Sequence, residues 1–535
     1  MKILLIIPRY NLTNKISYEY AFPIGLGYIS SVLKKEGHYV TCLNLNHLNG
    51  AVEHLINQAL NEKDYDFVCT GHMGIGYEII GKIIIAARKH NSMPKIIIGG
   101  ALITSESELM FNSLKPDFGI LGEGDITLIE LLNCLEKAGD LKKIDGICYR
   151  DKEGKLIFTK KRAPIMNLDS IPFPDLEGLG FEEYLKNQNN DAGFQALDYP
   201  RPYTILCSRG CPYQCTFCYH SIGIKYRMRS LDNIFKEIEE AIKKYDINAL
   251  IILDDLFSID ERRLYDFCKR IKKISEKYKI DLKWGCQLSV NNVSEKMLRI
   301  LKDSGVNVAS CGFESFSSIV LKSMKKPITP EQIEKAVKLV FEVGMGLQGS
   351  FIFGDTAETK ETAKETLDWW KKNCKGQIKL GFIQPYPGSE IWNHCIKKGI
   401  IQDKLDFIKN RISHTNWLNM TDKMTNEEIL QLKKDILNAR RDYYPYVIPS
   451  KIKRTFNNRY EVAVKCPFCK EKINYKNCLI ENRIRFNIWT PCRKCNMRFF
   501  IVNRLSKFES DFYQQLDFLR RNYLYLRDRI LKKRL

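Results

Sequence analysis

The sequence predicts an α/β protein, with a doubly wound parallel sheet in its N-terminal third and a partial (β/α) barrel of about six strands after it. Two observations predict this fold class. Short apolar runs alternate with amphipathic helical segments over residues 1–140, and the same alternation returns over residues 201–400. A chain of 535 residues also exceeds what one hydrophobic core usually organises, so we expect several domains.

Each strand of the N-terminal sheet is predicted from a short apolar run. The runs cover residues 2–7, 38–45, 67–70, 95–98 and 118–121, and residues 24–35 are amphipathic. Gly99 and Gly100 follow the fourth run, and Gly122 and Glu123 follow the fifth. Glycines at the carboxyl ends of parallel strands let a large ligand approach the backbone, so these turns are candidate binding residues.

The middle of the chain contains a linker and the predicted barrel. A hairpin signal at residues 144–159 and a proline-rich segment at 171–175 place a linker over residues 141–200. The barrel strands are predicted at residues 203–206, 249–253, 282–286, 308–313, 347–353 and 378–383. Because parallel barrels carry their chemistry at the carboxyl ends of the strands, the residues that follow these runs are the candidates for a site.

Three cysteines follow the first barrel strand. Cys211, Cys215 and Cys218 have the spacing CxxxCxxC, which offers three thiolates on one tight loop. Structural zinc and most iron-sulfur clusters take four protein ligands, so three thiolates indicate a 4Fe-4S cluster with one iron left open. With the aromatic Phe217 before the last cysteine, this loop resembles that of the radical S-adenosylmethionine (radical SAM) superfamily. The resemblance implies that the open iron chelates SAM and that the reduced cluster cleaves it to a 5′-deoxyadenosyl radical.

The same resemblance assigns candidate SAM contacts to the strand ends. Asp254 and Asp255 stand where the superfamily binds the SAM ammonium, and an anionic pair suits a cationic amine. The full set of predicted SAM contacts is Phe217, Asp254, Asp255, Gln287, Ser289, Glu314, Ser350 and Gln384. Arg227 or Arg229 could hold the SAM carboxylate, the alternative being a structural ion pair.

The N-terminal domain resembles the cobalamin-binding domain of one large radical SAM subgroup. The double glycine and the GEGE-like turn, here GEGD at residues 122–125, recur in that subgroup. The resemblance implies cobalamin contacts at Gly99, Gly100, Gly122 and Glu123. The DxHxxG loop that supplies a cobalt ligand in other cobalamin proteins should follow the first strand, but residues 8–24 contain no histidine. We therefore expect cobalamin without a protein histidine below the cobalt, with a fold retained without cofactor as the alternative.

A second set of cysteines lies near the C terminus. Cys466 and Cys469 form one CxxC knuckle, and Cys492 and Cys495 form a second one. The two knuckles are separated by 22 residues that contain β-prone segments. Four thiolates at this spacing predict a zinc ribbon, with an auxiliary 4Fe-4S cluster as the alternative. We expect six segments along the chain. They are a cobalamin-binding-like domain (1–140), a hairpin and linker (141–200), the radical SAM barrel (201–400), a helical extension (401–455), the zinc-ribbon-like module (456–505) and a basic C-terminal helix (506–535).

The net charge is +21, and it is concentrated at the C-terminal end. From Arg440 onward the chain has 24 lysines and arginines against 8 aspartates and glutamates. This block could meet nucleic acid, an acidic carrier protein or anionic headgroups, or be a solvated surface. No apolar stretch approaches the length of a membrane span, and 18 cysteines favour metal ligands and reduced thiols, so we expect a cytoplasmic protein.

These observations favour an enzyme of the cobalamin-dependent radical SAM kind, in which methyl transfer to an unactivated carbon is the common reaction. Ring closure and skeletal rearrangement are alternatives within the subgroup. RNA methylthiolation is another, although Cys42, Cys69 and Cys134 lack a convincing cluster arrangement. A polyanion- or carrier-binding protein acting through the ribbon and tail is the non-enzymatic alternative. We expect an electron donor such as flavodoxin or ferredoxin and an unidentified substrate, anionic or carrier-bound, with nucleic acid less favoured.

Overall fold

The predicted α/β architecture is confirmed by a computed structural model of the chain. It describes residues 1–10, 13–16, 20–186, 188, 196–412, 418–483 and 486–508. None of the helices within these ranges is both long enough and apolar enough to cross a membrane.

The N-terminal sheet has seven strands in the order β2-β1-β3-β4-β5-β6-β7. Strands β1 to β5 are parallel, and the chain reverses its direction of winding between β1 and β3. On β1, Ile3 and Leu5 pack into the core on one face of the sheet, whereas Leu4 and Ile6 pack into the core on the other. Helices cover both faces, which is why the strands are apolar throughout. The strands are β1 (Lys2–Ile7), β2 (Tyr39–Asn44), β3 (Phe67–Gly71), β4 (Lys95–Gly99), β5 (Phe118–Ile120), β6 (Ile147–Arg150) and β7 (Leu156–Phe158).

The hairpin expected in the linker belongs to this sheet. Strand β6 pairs antiparallel with β5, and β7 pairs antiparallel with β6. The predicted boundary at residue 140 therefore divides a continuous sheet, because a hairpin signal shows that two strands pair but not which third strand they join.

The barrel contains all six predicted strand regions, two of them broken. Strands β12 and β13 are separated at Cys286, and β15 and β16 at Gly349. A Cβ at Gly349 would lie 2.4 Å from the Cys311 carbonyl oxygen, so the second break requires glycine. All pairings are parallel, within the groups β12-β11-β8, β13-β14-β15 and β16-β17. The strands are β8 (Pro202–Ile205), β11 (Ala249–Ile252), β12 (Lys283–Gly285), β13 (Gln287–Leu288), β14 (Val308–Cys311), β15 (Gly346–Gln348), β16 (Ser350–Phe353) and β17 (Lys379–Phe382), with the small ribbon β9 (Ser208–Arg209) and β10 (Arg227–Met228) after β8.

Helices alternate with these strands, and several carry side-chain caps. Ser230, Asp260 and Ser294 each accept a hydrogen bond from a backbone N–H in the first turn of the helix they precede. The helices are α1 (Ile24–Lys35), α2 (Val52–Glu62), α3 (Tyr77–Lys89), α4 (Ala101–Ser105), α5 (Ser107–Leu114), α6 (Gly124–Glu136), α7 (Phe181–Lys186), α8 (Leu231–Tyr245), α9 (Glu261–Tyr278), α10 (Glu295–Asp303), α11 (Ser318–Ser323), α12 (Pro330–Glu342), α13 (Lys360–Asn373), α14 (Glu390–Lys397), α15 (Lys404–Asp406) and α16 (Asn426–Tyr443).

A small β module follows α16 and packs against the barrel. Its two sheets have the orders β19-β20-β21 and β18-β23-β22. The backbone N–H of Arg498 donates to the Gln377 side chain at 2.8 Å, and the Gln377 amide donates to the Arg498 carbonyl at 2.8 Å. The strands are β18 (Tyr446–Val447), β19 (Lys451–Phe456), β20 (Arg459–Lys465), β21 (Lys472–Leu479), β22 (Asn487–Pro491) and β23 (Arg498–Val502). Most of the predicted basic helix at 506–535 lies outside the described residues.

Candidate active site and thiol centres

The three-cysteine loop leaves the end of β8 and is anchored by a buried carboxylate. Asp254, at the end of the neighbouring strand β11, accepts hydrogen bonds from the Cys207 N–H at 2.7 Å and the Ser208 hydroxyl at 2.6 Å. Burial raises the pKa of Asp254 to about 6, although these hydrogen bonds favour its charged form. Asp254 was predicted to contact SAM, but its oxygens are engaged in shaping the loop.

A second anchor joins the loop to the N-terminal domain. Arg209, two residues before Cys211, pairs with Glu123 at 2.9 Å and with Asp125 at 2.8 Å. Arg227, on the strand that pairs with Arg209, reaches the same Glu123 at 2.7 Å. All of these side chains are nearly inaccessible to solvent. The GEGD turn is therefore one of the points at which the two domains are held together, alongside the ion pair of Glu106 with Lys404.

This interface changes two predictions. Glu123 was expected to contact cobalamin, but its carboxylate accepts hydrogen bonds from two arginines and from the Ile165 N–H. Arg229, considered for the SAM carboxylate, instead pairs with the buried Glu237 at 2.5 Å. The alternative of structural ion pairs fits both Arg227 and Arg229, because a buried charge needs a partner wherever it lies.

The three thiols are exposed to different extents and are spread apart. Cys215 is buried, Cys211 is half-buried and Cys218 is exposed. Within the described residues, only the C-terminal cysteines form a group whose ligand atoms all lie within 4.8 Å of one another. The wider spacing of the loop thiols fits a cluster, in which each cysteine binds a different iron, better than a single ion.

A lysine and a glutamate lie beside these thiols. Lys326 is half-buried, donates to Glu314 at 3.0 Å, and is close enough to Cys215 and Cys218 to interact with them electrostatically. Glu314 adopts φ +64, and its backbone bridges β14 to β16. A side chain with this backbone conformation is costly and persists at sites where the surroundings impose it.

The other strand-end carboxylate, Asp255, makes no hydrogen bond or ion pair with the residues that the structure describes. Asp255 is exposed next to the buried Asp254 and interacts electrostatically with Cys211 and His220. Among the predicted ligands of the SAM ammonium, Asp255 is thus the carboxylate that faces the cysteine loop with its oxygens available.

Gly312 marks where the strand ends converge. A Cβ at this position would lie 2.6 Å from the Glu314 carboxylate, 2.9 Å from Lys326 Nζ and 3.7 Å from the Gln287 amide. The Gln287 side chain also accepts a hydrogen bond from the Ser310 hydroxyl at 2.9 Å. Gln287 and Glu314 are therefore brought together, as the sequence predicted, with Lys326 as a third member.

The remaining predicted SAM contacts have mixed surroundings. Ser289 is buried, and its backbone N–H donates to the Ser258 hydroxyl at 2.8 Å. Ser350 is half-buried, and its backbone carbonyl accepts a hydrogen bond from the Glu314 N–H at 2.9 Å. Gln384 is buried just after β17. Phe217 packs against the hydrophobic core beneath the loop. We therefore read Phe217 as an anchor of the loop, and the roles of the others stay predictions.

The predicted cobalamin glycines lie in a tight cradle at the ends of β3 and β4. A Cβ on Gly71 would lie 2.8 Å from the Gly99 carbonyl oxygen, and one on Gly100, where φ is +84, would lie 2.9 Å from the His72 carbonyl oxygen. Gly122 adopts φ +79 with open space in front of its Cα. Backbone without side chains at the carboxyl edge of a doubly wound sheet fits a large flat cofactor.

The cradle meets the mouth of the barrel. A Cβ on Gly74 would lie 3.8 Å from Pro387. Pro387 belongs to the PYPG turn, residues 385–388, which follows β17. In the same turn, a Cβ on Gly388 would lie 2.4 Å from the ring of Tyr219, the residue that follows Cys218. One turn therefore packs against the three-cysteine loop and lies beside the cradle loop.

The four C-terminal cysteines form a closed site. The Sγ atoms of Cys466 and Cys495 are 3.8 Å apart, and those of Cys469 and Cys492 are 3.6 Å apart. A tetrahedral ion with metal–sulfur bonds of about 2.3 Å requires sulfurs roughly 3.8 Å apart. The arrangement fits one tetrahedral ion and is too compact for a four-iron cluster. Cys478 is buried in the same module without a knuckle partner.

Two residues of the site escaped the sequence analysis. Lys326 lies in a lysine-rich turn after α11, which resembles any exposed basic turn. His72 follows β3 within the cradle, whereas a histidine was sought after β1, and His47, after β2, was interpreted as part of a surface loop. The rule that site residues follow parallel strands would have singled out His72.

Comparison with known proteins agrees with this geometry. Residues 205–369 match the radical SAM superfamily, and residues 15–132 match the B12 binding domain. An uncharacterized methyltransferase of Pyrococcus horikoshii is 30% identical over 413 residues, covering 75% of this chain and 84% of that protein.

Two further matches concern methyltransferases. The cytidylyl-2-hydroxyethylphosphonate methyltransferase of Streptomyces wedmorensis is 24% identical over 503 residues, covering 82% of this chain and 90% of that protein. The radical SAM methyltransferase TsrM of Kitasatospora setae, solved with cobalamin and a [4Fe-4S] cluster, superposes with a TM-score of 0.58 at 17% identity, covering 74% of this chain and 75% of that chain. The chain belongs to the radical SAM superfamily, in the group whose members carry a B12-binding domain ahead of the radical SAM domain.

Proposed function

We propose that the protein is a cobalamin-dependent radical SAM methyltransferase that acts on an unactivated carbon. The observation that carries this proposal is the PYPG turn, which packs against the three-cysteine loop and lies beside the loop of the glycine cradle. A cluster site and a cobalamin site that share one wall can act on the same substrate. The methyltransferases among the relatives support the same reaction.

The proposal assigns a task to each group of residues. When bound, the cluster with SAM would supply a carbon-centred radical and cobalamin would supply a methyl group. Cys211, Cys215 and Cys218 would hold the cluster. Asp255 would accept hydrogen bonds from the SAM ammonium, which is a charge-assisted contact. The half-buried Lys326 would offset the negative charge of the thiolates.

The protein's own contacts hold these residues in place. Asp254 and Arg209 fix the stem of the cysteine loop, and the Thr216 N–H donates to the Met324 carbonyl at 3.0 Å within the loop. A rigid stem lowers the ordering cost of cofactor binding and keeps the reacting groups in place.

We infer that the C-terminal thiols hold zinc in a structural role. Structural zinc sites have four thiolate or histidine ligands at the corners of a tetrahedron, often within a small β module. The four C-terminal thiols have this number, these sulfur separations and this setting. All four ligand positions would be filled by protein, which leaves none for a substrate.

The partners and compartment follow from the same chemistry. A low-potential cluster needs an electron donor such as flavodoxin or ferredoxin, and we infer a reducing compartment, the cytoplasm, because all 18 cysteines are free thiols. The positive charge of the chain supports an anionic or carrier-bound substrate.

Other reactions of the superfamily receive less support. RNA methylthiolation would need a second cluster, but Cys42, Cys69 and Cys134 lie within β2, β3 and α6 rather than on one loop. Cyclisation or rearrangement would use the same radical and remains the second candidate. A purely polyanion-binding protein would not need the anchored cysteine loop.

The test is anaerobic reconstitution with iron and sulfide, followed by SAM, a reductant and methylcobalamin. We expect 5′-deoxyadenosine to form and the corrinoid to remain bound through gel filtration, as read from its absorbance. Formation of 5′-deoxyadenosine without retained corrinoid would overturn cobalamin dependence. If neither 5′-deoxyadenosine nor bound corrinoid were found, the whole proposal would be overturned.

A further inference from the structure

His72 occupies a notable place in the N-terminal sheet. It directly follows β3, whose neighbour β1 is where the winding of the sheet changes direction. In open α/β sheets, ligands bind outside the carboxyl ends of the strands at such a point. His72 is therefore at the edge where the proposed cobalamin would lie.

The glycines of the cradle hold the backbone of His72 in place. The His72 carbonyl accepts the Leu102 N–H at 3.0 Å, and Gly100 approaches it so closely that a Cβ would clash. On the side-chain side, a Cβ at Gly76 would lie 2.2 Å from both Cγ and Nδ1 of the His72 ring. Both the backbone and one side of the imidazole are thus packed against glycine.

The hydrogen bond of the ring fixes which nitrogen carries the proton. Nδ1 lies 3.2 Å from the Met73 carbonyl oxygen, which can only accept, so Nδ1 is the donor. Nε2 then bears the lone pair, and none of the described residues forms a hydrogen bond with it. An imidazole with Nδ1–H on a backbone carbonyl and a free Nε2 is the usual arrangement of a metal-ligating histidine.

The other histidine near this sheet edge does not have this arrangement. His47 lies 2.6 Å from the Tyr20 hydroxyl through Nε2 and packs against Gly180. The His47 ring is therefore packed into the contact between the N-terminal domain and the linker, and it does not face the cradle glycines. Within the described residues, His72 alone combines a strand-end position in the cradle with an unengaged Nε2.

We propose that Nε2 of His72 is a protein nitrogen ligand of the cobalt in the bound corrinoid. This rests on the proposed cobalamin dependence, and it replaces the expectation of a cobalt without a protein histidine. The ligand would come from the loop after β3 rather than from a DxHxxG loop after β1.

The test uses the full-length protein loaded anaerobically with cob(II)inamide, a corrinoid that lacks the nucleotide base. Any nitrogen bound to cobalt must then come from the protein. We expect the electron paramagnetic resonance spectrum to show splitting by one nitrogen, and its pattern to change when the histidines carry ¹⁵N. In His72→Ala this splitting should vanish and the affinity for cob(II)inamide should fall by about 10- to 100-fold.

His54→Ala is the matched control, because His54 is exposed on α2; its spectrum should equal that of the wild type. SAM cleavage by His72→Ala should be retained, which shows that the variant is folded. Bound corrinoid without nitrogen splitting, or splitting that persists in His72→Ala, would overturn the assignment of His72 but leave cobalamin dependence intact. Failure of the wild type to retain any corrinoid would overturn both proposals.

Discussion

The two cysteine sets of this protein are built on opposite principles. The loop of Cys211, Cys215 and Cys218 is held by the protein: Asp254 fixes its stem, and Arg209 ties it to the N-terminal domain. The four C-terminal thiols lie within 4.8 Å of one another in a small module, where a metal bound by all four would join the two knuckles directly. The site that is open to reactants is prearranged by surrounding structure, whereas the closed site depends on its own ligands.

This difference predicts the largest effect at the closed site. Cys466→Ser should remove the bound metal and unfold the β module, because structural zinc supplies much of the folding free energy of such modules. Metal analysis should show the loss of zinc, and limited proteolysis should cut between residues 456 and 505. Cys478→Ser is the control, since Cys478 is buried in the same module outside the knuckles. If Cys466→Ser kept its zinc, the closed site would be misassigned.

The next effect concerns the tie between the domains. Arg209→Ala leaves Glu123 and Asp125 with one fewer partner, and breaking such a buried pair should lower the free energy of unfolding by about 3–5 kcal/mol. Chemical denaturation monitored by fluorescence measures this change. Arg270→Ala removes an exposed pair with Asp232 and should cost no more than about 1 kcal/mol. Equal effects in the two variants would show that the tie does not hold the loop.

Two adjacent carboxylates separate the binding of SAM from the shaping of the loop. Asp255→Asn should weaken SAM binding by about 10- to 100-fold, the value of a hydrogen bond to a charged group, while leaving the iron content unchanged. Asp254→Asn should instead reduce the iron content, because the stem of the loop loses its anchor. Equilibrium binding of SAM and iron analysis on both variants decide this. The reverse pattern would assign the SAM contact to Asp254.

The smallest expected effect is on the reduction potential of the cluster. Lys326→Met removes a half-buried cation next to Cys215 and Cys218, so the reduced form loses stabilisation and the midpoint potential should fall by on the order of tens of millivolts. Lys325→Met is matched to it, because the neighbouring Lys325 pairs with Glu390 at the surface. Redox titration followed by electron paramagnetic resonance would show a shift only for Lys326→Met, and equal shifts would contradict the role.

The sequence analysis was most informative where the signal was local. The strands are set by apolar runs, and both cysteine sets by spacings of a few residues, so the fold class and the candidate metal ligands could be predicted. The pairing of Glu123 with Arg227 joins positions 104 residues apart, and no local pattern indicates it. The different surroundings of Asp254 and Asp255 depend on which neighbours pack above the strand end, which is a tertiary property.

His72 shows a different limit. The expected histidine motif was tied to the loop after β1, whereas the sheet brings the loops after β1, β3 and β4 to one edge. The order of the strands, which sets the neighbours of each loop, is visible only in the fold.

The most direct test of the account is the iron and zinc content per chain after anaerobic reconstitution of the wild type and two variants. In the wild type we expect about four irons and one zinc. Replacing Cys211, Cys215 and Cys218 with alanine should remove the iron and keep the zinc, whereas replacing Cys466 and Cys469 with serine should remove the zinc and keep the iron. Iron that follows the C-terminal cysteines, or zinc that follows the three-cysteine loop, would contradict the assignment of an open cluster and a closed ion.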